Sequence, residues 1–178
     1  MLSPFEQGCL VTFFIFQSFW AFSQEKSTVL DFENHFRISP VLSHTYIPKA
    51  TIGGKEIYFL PSFGLDLEYW FSHKWGVGLH NDLELESFEI EKDNAKNVRV
   101  IPIVSTIDLL YNFHKRWVLV LGAGIEFDKR ENLTLFRTGI EYEIEIGDGW
   151  DVSPTIFYDI RISKFDTASI GIGFGKRF

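Results

Sequence analysis

Polar and apolar residues alternate with a period of two along most of the chain after residue 34. Such alternation is typical of β-strands that have one apolar and one polar face. In the segment that starts at residue 57, Phe59, Phe63 and Leu67 share one face, whereas Asp66 and Glu68 share the other. The pattern predicts eight strands, over residues 35–47, 57–71, 75–89, 98–113, 117–128, 133–146, 150–162 and 167–178.

The connections between these predicted strands indicate a series of β-hairpins. Three connections are tight turns, over residues 72–74, 114–116 and 147–149, and each is followed directly by a tryptophan. The other connections are residues 48–56, 90–97, 129–132 and 163–166, of which the last is also short. With eight strands, both chain ends and all three tight turns fall at the same end of an antiparallel barrel.

Alternation alone fits two kinds of barrel. A soluble lipocalin-like barrel points its apolar face inward, whereas a transmembrane barrel points that face at lipid. Here the bases on the polar face of the strands are arginines, and the lysines lie in the tail, the turns, the loops and the C-terminal end. An enclosed polar space favours arginine, because the guanidinium group forms bidentate pairs with carboxylates. The polar face also carries rows of glycine, as at Gly171, Gly173 and Gly175, which favour a narrow polar lumen.

An aromatic belt is predicted at the end of the barrel that holds the tight turns. Its members are Tyr69, Phe71, Trp75, Tyr111, Phe113, Trp117, Trp150 and Phe178. Membrane barrels carry such belts at the boundary between lipid and water. Core aromatics beside tight turns would give a similar pattern, but the regular tryptophans favour the belt. The sequence therefore predicts an all-β fold, a transmembrane eight-stranded antiparallel up-and-down β-barrel.

The charged residues of the polar face are predicted to form a lumen charge network, since eight strands leave an interior just wide enough for side chains. The members are Arg37, Asp66, Glu68, His80, Asp82, Glu84, Glu86, Asp108, Glu126, Arg137, Glu141, Glu143, Glu145, Asp151, Asp159, Arg161 and Arg177. We expect Arg37 and Arg177 near the tight-turn end, and Arg137 and Arg161 nearer the other end. We expect His80 to be a satisfied core histidine beside Asp82.

Carboxylates greatly outnumber arginines in this predicted network, and this leaves its role open. Like charges in a confined space cannot all be free, so some are expected to be protonated, hydrated or bound to a cation. One interpretation is a structural network of salt bridges with trapped water. The other is a cation path or cation site.

The N-terminal segment predicts export. Residues 9–22 form an apolar run that has the length of a signal-peptide core and is too short to cross a bilayer as a helix. Ala21 and Ser23 are small residues that fit cleavage before Gln24, although the preceding segment has no Lys or Arg and carries Glu6. A lipoprotein cleaved before Cys9 is an alternative. The predicted organisation is a signal peptide at 1–23, a short periplasmic segment at 24–34 and the barrel at 35–178.

Composition excludes several kinds of site. The net charge of −7 argues against a nucleic-acid partner, which would need a basic surface to bind to. A single cysteine provides neither a disulfide framework nor a Cys-based zinc site, and the five histidines have no metal-ligand spacing. His44, Ser87 and Ser105 are predicted to face outward without a catalytic motif. We therefore predict no catalytic residue, no cofactor and no metal site, and a lipid-modifying enzyme ranks third among the functions considered.

The chain ends in the sequence IGIGFGKRF, in which Ile170, Ile172 and Phe174 alternate before the terminal Phe178. With its hairpin pattern, the chain resembles the small eight-stranded outer-membrane β-barrels of Gram-negative bacteria, the broad family that includes OmpX-like and OmpA-like barrels. The resemblance implies that these four residues are the C-terminal assembly signal. Lys176 departs from the family pattern, in which an apolar or aromatic residue is usual.

The same resemblance implies where the protein works and with what. It places the barrel in the outer membrane of a Gram-negative bacterium, with both termini in the periplasm. The implied partners are outer-membrane lipids and lipopolysaccharide, with the barrel-assembly machinery and periplasmic chaperones during biogenesis, and the implied state is a monomer. The predicted role is structural, in envelope stability or in surface interaction. The alternative is a narrow cation-permeable channel.

Overall fold

The computed structural model describes residues 34–178, apart from residues 49, 53–54, 57–58, 93–94 and 163. The predicted signal peptide and nearly all of the predicted periplasmic segment lie outside the described residues. The strands of the described part are His35–Tyr46 (β1), Ala50–Ile52 (β2), Lys55–Glu56 (β3), Phe59–Trp70 (β4), Trp75–Glu84 (β5), Phe88–Lys92 (β6), Ala95–Arg99 (β7), Ile103–His114 (β8), Trp117–Phe127 (β9), Leu133–Tyr142 (β10), Ile144–Gly147 (β11), Trp150–Arg161 (β12) and Asp166–Arg177 (β13). Among these residues, no helix is long and apolar enough to cross a membrane.

Most of these strands form one antiparallel sheet that closes on itself. Its order is β10-β9-β8-β5-β4-β1-β13-β12-β11, and β10 also pairs with β12. Since β11 continues the line of β10 after a one-residue break, the sheet is a barrel of eight strand positions. The first and last strands meet through the register Arg37↔Arg177 and Val41↔Gly173. The predicted fold class is confirmed.

The barrel is polar inside and apolar outside. Along β1, Arg37, Ser39 and Ser43 are buried, whereas Phe36 and Leu42, which have the opposite phase, are exposed. The alternation repeats on β4 and β12, and the outward side chains are large and apolar. A surface of large apolar side chains is stable against hydrocarbon rather than water, and the closed sheet leaves no open edge of unpaired backbone groups. We therefore treat the barrel as membrane-spanning.

Two of the connections predicted as loops are strands. The segment between β1 and β4 holds β2 and β3, and the segment between β5 and β8 holds β6 and β7. These four form a second antiparallel sheet in the order β3-β2-β6-β7, which we call the outer sheet. As a result the barrel strands are shorter than predicted, and β5 ends at Glu84 instead of continuing to residue 89. The alternation simply continues from one sheet into the other, so it did not reveal the boundary.

Four prolines fall within the strands that the sequence predicts, and each removes a backbone N–H group from the sheet. Pro102 lies before β8 begins, and Pro61 lies where the pairing of β4 with β5 ends. Pro40 lies in a gap of the β1–β13 ladder. Pro154 faces the break between β10 and β11. Strand ends and ladder gaps therefore accommodate the missing N–H groups. The bulges are elsewhere, beside tight turns in β8–β9 and β11–β12.

Candidate functional site in the barrel lumen

Arg37 is the centre of the charged cluster at the tight-turn end of the lumen. Its guanidinium group contacts both oxygens of Asp151, with Nη2 2.8 Å from Oδ1 and Nε 3.0 Å from Oδ2. Nη1 pairs with Glu68, and Nη2 also donates to Ser153 at 2.8 Å. Arg37 is 1% exposed. Since Asp151 and Ser153 lie on β12, which does not adjoin β1, this arginine connects separate parts of the wall.

Arg177 extends the same cluster toward the tight-turn end. Its Nη2 atom lies 2.7 Å from Oε2 of Glu143 and 3.6 Å from Oδ2 of Asp151, and its Nη1 atom pairs with Glu145. Gly175 leaves the room for this arrangement, because a Cβ atom there would lie 2.4 Å from Nε of Arg37. The glycine row on the polar face thus makes space for large charged side chains.

Arg137 connects β10 to the opposite wall nearer the other end. It forms a bidentate pair with Asp159, at 2.8 Å and 2.9 Å, and its Nη1 atom lies 2.8 Å from Oδ2 of Asp82 on β5. The guanidinium carbon also stands 4.9 Å from the ring centre of Phe157. Such bidentate pairs fix side-chain position as well as charge.

Arg161 and Arg99 share one carboxylate at the outer end. Arg161 pairs with Oε2 of Glu126 and donates to Thr167 at 2.9 Å, whereas Nε of Arg99 lies 3.1 Å from Oε1 of Glu126. Arg99 is buried and lies on β7, in the outer sheet. Sequence reasoning missed it because its segment was assigned to a long barrel strand. Its flanking residues, Val98 and Val100, gave no separate signal.

Two further carboxylates are held by hydroxyl groups. Glu84 accepts a hydrogen bond from Ser62 at 2.8 Å, and Ser62 lies 2.9 Å from the hydroxyl of Thr45. Asp108 accepts a hydrogen bond from Thr106 at 2.6 Å. These neutral contacts supplement the arginine pairs in a lumen where carboxylates outnumber arginines.

His80 lies near the middle of the lumen and is fully buried. It was expected to be satisfied beside Asp82, but Asp82 pairs with Arg137 instead. The residue directly opposite His80 on the neighbouring strand is Asp66, and Glu141 completes a group with them. Neither ring nitrogen of His80 has a hydrogen-bond partner in the described part of the protein.

Glu86 lies outside the lumen, so its place in the predicted network needs correction. It is exposed in the connection after β5, because the chain leaves the barrel wall at Glu84 to enter the outer sheet. The other predicted members are buried or half-buried on the inner face. The structure brings them together in the clusters described above, and their functional role stays a proposal.

The lumen also contains an apolar cluster that sequence reasoning missed. It consists of Trp70, Leu110, Val118, Val120 and Phe157, all buried. The indole N–H of Trp70 donates to Glu68 at 2.8 Å, so the ring belongs to the charged cluster as well. The sequence did carry a signal for this cluster. Trp70 and Phe157 lie at alternate positions that they share with the inward polar residues of their strands.

The predicted belt residues lie on the outer surface at the tight-turn end. Seven of them are exposed and Tyr111 is half-buried. Trp75 contacts Tyr111 with ring centres 4.4 Å apart, and Trp117 contacts Tyr142 at 4.7 Å. The four residues of the predicted assembly signal are also exposed, on the outer face of β13 and at the chain end. Their recognition by an assembly machinery stays a prediction.

The candidate catalytic residues considered from the sequence lie apart on the barrel. His44 is exposed on β1, whereas Ser105 lies on β8 and donates to Asn81 at 2.8 Å. Ser87 is exposed in the connection after β5. Since β1 and β8 are not neighbouring strands, these residues do not form a nucleophile–base pair.

An apolar cluster occupies the outer end of the molecule. We call it the outer cap, and it consists of Ile47, Ala50, Leu60, Phe88 and Ile90, with Ile52 and Phe165 packed against them. Ile47 and Leu60 continue the inward rows of β1 and β4 beyond the polar lumen. Phe165 stacks under Arg161, whose guanidinium carbon is 4.7 Å from the ring centre. The cap therefore contacts the lumen charges directly.

A search of solved structures matches the chain to small outer-membrane β-barrels. The N-terminal β-barrel domain of Pseudomonas aeruginosa OprF has a TM-score of 0.50 and 10% identity, over 80% of this chain and 97% of that one. The outer membrane protein OprG from the same species has a TM-score of 0.50 and 15% identity, over 82% and 96%. Ail, the attachment invasion locus protein of Yersinia pestis, has a TM-score of 0.47 and 15% identity, over 82% and 97%.

These matches concern the fold. A scan against protein-family models and a search of curated proteins both find no match. The fold of the chain is that of the small eight-stranded outer-membrane β-barrels, as the predicted resemblance implied. A place in a Gram-negative outer membrane accords with this fold and with the apolar outer surface.

Proposed function

We propose that the protein is a closed, non-conducting outer-membrane barrel with a structural, envelope-stabilising or surface-interaction role. The observation that carries this proposal is the set of arginine–carboxylate pairs that cross the lumen. Arg37 connects β1 to β12, Arg137 connects β10 to β5, and Arg161 connects β12 to β9. These side chains occupy the narrow interior that eight strands enclose.

The outer cap supports the same proposal. A hydrated ion that entered from the outside would have to pass an apolar cluster before it met a polar side chain. Removing an ion's hydration shell at such a constriction is costly, and hydrophobic constrictions act as barriers in channels. The cap and the crossing ion pairs thus obstruct the lumen at two levels.

The outer sheet is the element that we propose for surface interaction. In the order β3-β2-β6-β7, strands β3 and β7 are the edges of the described sheet. Edge strands can accept an added strand from a partner.

We propose both chain ends in the periplasm, with lipid and lipopolysaccharide around a monomeric barrel. Assembly machinery and chaperones are proposed as partners during biogenesis.

Single-channel recording of the refolded barrel in a planar bilayer, across a salt gradient, tests the proposal. We expect no steady current steps from barrels whose insertion is verified, while a known pore in the same bilayer gives steps. Steady steps with a cation-selective reversal potential would instead establish the alternative, a narrow cation channel. In that event Glu84→Gln and Glu143→Gln should change its selectivity.

The proposal also holds that the protein is not an enzyme. The separation of His44 from Ser105 supports this. Incubation of the folded barrel with outer-membrane lipids, followed by mass spectrometry, should show no change in lipid mass. A modified lipid that disappears with His44→Ala would contradict it.

A further inference from the structure

Three buried side chains converge near the centre of the lumen. Asp66 lies on β4, His80 on β5 and Glu141 on β10. Each offers one potential ligand atom, and the three atoms lie within 4.8 Å of one another. Asp66 and His80 face each other across adjacent strands, whereas Glu141 reaches them from a strand that adjoins neither.

The partners expected for such a buried group are missing among the described residues. His80 is 0% exposed, and neither Nδ1 nor Nε2 has a hydrogen-bond partner there. The same holds for Oε1 of the buried Glu141. Buried polar atoms are nearly always paired, because an unpaired one bears the full cost of leaving water. Nδ1 has only an ion-pair contact with Asp108, and Nε2 has no polar partner among the described residues, so a buried imidazole beside two carboxylates points to a missing ligand.

The arginine network accounts for this group only in part. In the described part of the chain, Asp66 forms no ion pair with a lysine or arginine, and Glu141 has one long ion pair, with its Oε2 3.6 Å from Nη1 of Arg37. Two buried carboxylates this close repel each other unless a proton or a cation lies between them. The histidine makes a cation the better fit, since imidazole is a common ligand of transition metals.

We propose that Asp66, His80 and Glu141 form a binding site for a divalent transition metal, with Zn²⁺ as the favoured ion. One imidazole nitrogen and two carboxylate oxygens form a ligand set that zinc accepts, with water as the fourth ligand. The two carboxylates neutralise its charge. Ligand atoms around tetrahedral zinc are about 3.3 Å apart, given bond lengths of about 2.0 Å. The three side chains therefore need to draw together slightly.

The surroundings of His80 indicate which nitrogen binds. A Cβ atom at position 78 would lie 2.7 Å from Nε2, so Gly78 leaves space beside that nitrogen. On the other side of the ring, Nδ1 lies 3.3 Å from Oδ2 of Asp108. Metal-binding histidines usually direct their second nitrogen to a carboxylate, which fixes the ring. We assign Nε2 as the ligand and Asp108 as the positioning residue.

A metal at this site would join β4 and β5 to β10 across the lumen. This inference is independent of the closed-barrel proposal, because a structural metal can occupy a conducting or a silent barrel. It adds to the arginine pairs a crossing contact that depends on a ligand. Binding to the folded state alone should raise the unfolding temperature of the barrel.

Metal content of the refolded barrel is the first test. The full chain is refolded in detergent with ZnCl₂, exchanged into metal-free buffer with a weak chelator, and measured for zinc per barrel. We expect about one zinc in the wild type, and at least a tenfold loss in His80→Asn and Glu141→Gln. The matched control is His114→Asn, at the exposed histidine that ends β8, which should retain the wild-type content. Equal zinc in wild type and His80→Asn would overturn the proposal.

A second measurement does not depend on the folding of variants. X-ray absorption at the zinc edge of the wild-type barrel should show one nitrogen and two to three oxygens at about 2.0–2.2 Å. A shell of water oxygens alone, or of several histidines, would overturn the assignment.

For Asp108→Asn we expect retained but weaker zinc binding, whereas a merely structural role of Asp108 would leave the affinity unchanged.

Discussion

The lumen and the outer cap are filled with opposite chemistry. The lumen buries arginines against carboxylates that reach from distant strands, whereas the cap buries Ile47, Leu60, Phe88 and Ile90 against one another. The cap resembles the core of a soluble protein, which needs only shape and apolar area. Buried charges instead need specific partners at specific positions. The comparison indicates that the lumen depends on individual residues more strongly than the cap does.

The largest expected effect is the loss of a central lumen arginine. Arg37→Leu leaves Glu68 and Asp151 buried without their partner, and breaking a buried pair costs about 3–5 kcal/mol. Reversible urea unfolding in lipid vesicles should show this loss. Arg130→Leu, at an exposed loop position, is the control and should change stability little. If Arg37→Leu lowers the unfolding free energy by less than about 1 kcal/mol, the lumen does not depend on individual residues more strongly than the cap does.

Truncating the cap should have a large but local effect. Phe88 is buried and contacts Phe165 edge to face, with ring centres 6.2 Å apart. Phe88→Ala should lower the free energy of opening of the outer sheet by about 3 kcal/mol. Hydrogen exchange should therefore accelerate in β2 and β6 and stay unchanged in β4 and β12. Equal acceleration throughout the barrel would show that cap and lumen form one cooperative unit.

A smaller effect is expected where the lumen wall is tightly packed. Gly139 faces Phe157 across adjacent strands, and an added Cβ would lie 2.2 Å from Cδ1 of that ring and 2.7 Å from the Ile156 carbonyl oxygen. Gly139→Ala should destabilise the barrel by about 1–3 kcal/mol through overpacking.

The double variant with Phe157→Leu tests the source of that effect. A smaller side chain at position 157 removes the contact with the ring but not with the backbone oxygen, so it should recover part of the lost stability. Strict additivity in urea unfolding would show that ring packing is not the cause.

The smallest effect is expected for an ion pair at the rim. Lys164 and Glu131 lie 3.0 Å apart, and their side chains are 29% and 53% exposed. Exposed pairs contribute about 0–1 kcal/mol. Lys164→Ala should therefore change the unfolding free energy by less than about 1 kcal/mol. A loss as large as that for Arg37→Leu would contradict the role given to burial.

The sequence predicts the barrel well because alternation separates the two faces of each strand, and the arginines and glycines of the polar face indicate that this face is enclosed. The inward position of Arg37 and Asp151 and the outward position of Phe36 follow from these two signals together. The same pattern predicts that arginines and carboxylates meet, since they share one narrow space. It does not give their pairing, because that depends on strand tilt and on side chains that span the lumen.

The outer sheet and the group around His80 could not be predicted from the alternation of polar and apolar residues. The outer sheet continues the alternation of the barrel strands, so Glu86 was assigned to the lumen and Arg99 was overlooked. The convergence of His80 with Glu141 joins residues far apart in sequence and on separate strands. Spacing along the chain cannot reveal such a group, since only the curvature of the closed sheet brings it together.

A double-mutant cycle on Arg137 and Asp82 measures whether the lumen arginines brace strands that are not neighbours in the sheet. The two residues lie on β10 and β5, which do not adjoin, and their charged groups are 2.8 Å apart. Urea unfolding of Arg137→Met, Asp82→Asn and the double variant in lipid vesicles gives the coupling energy. If the pair braces the barrel, the coupling energy should be about 1–3 kcal/mol. Additivity within about 0.5 kcal/mol would show that the lumen charges are independently solvated and brace nothing.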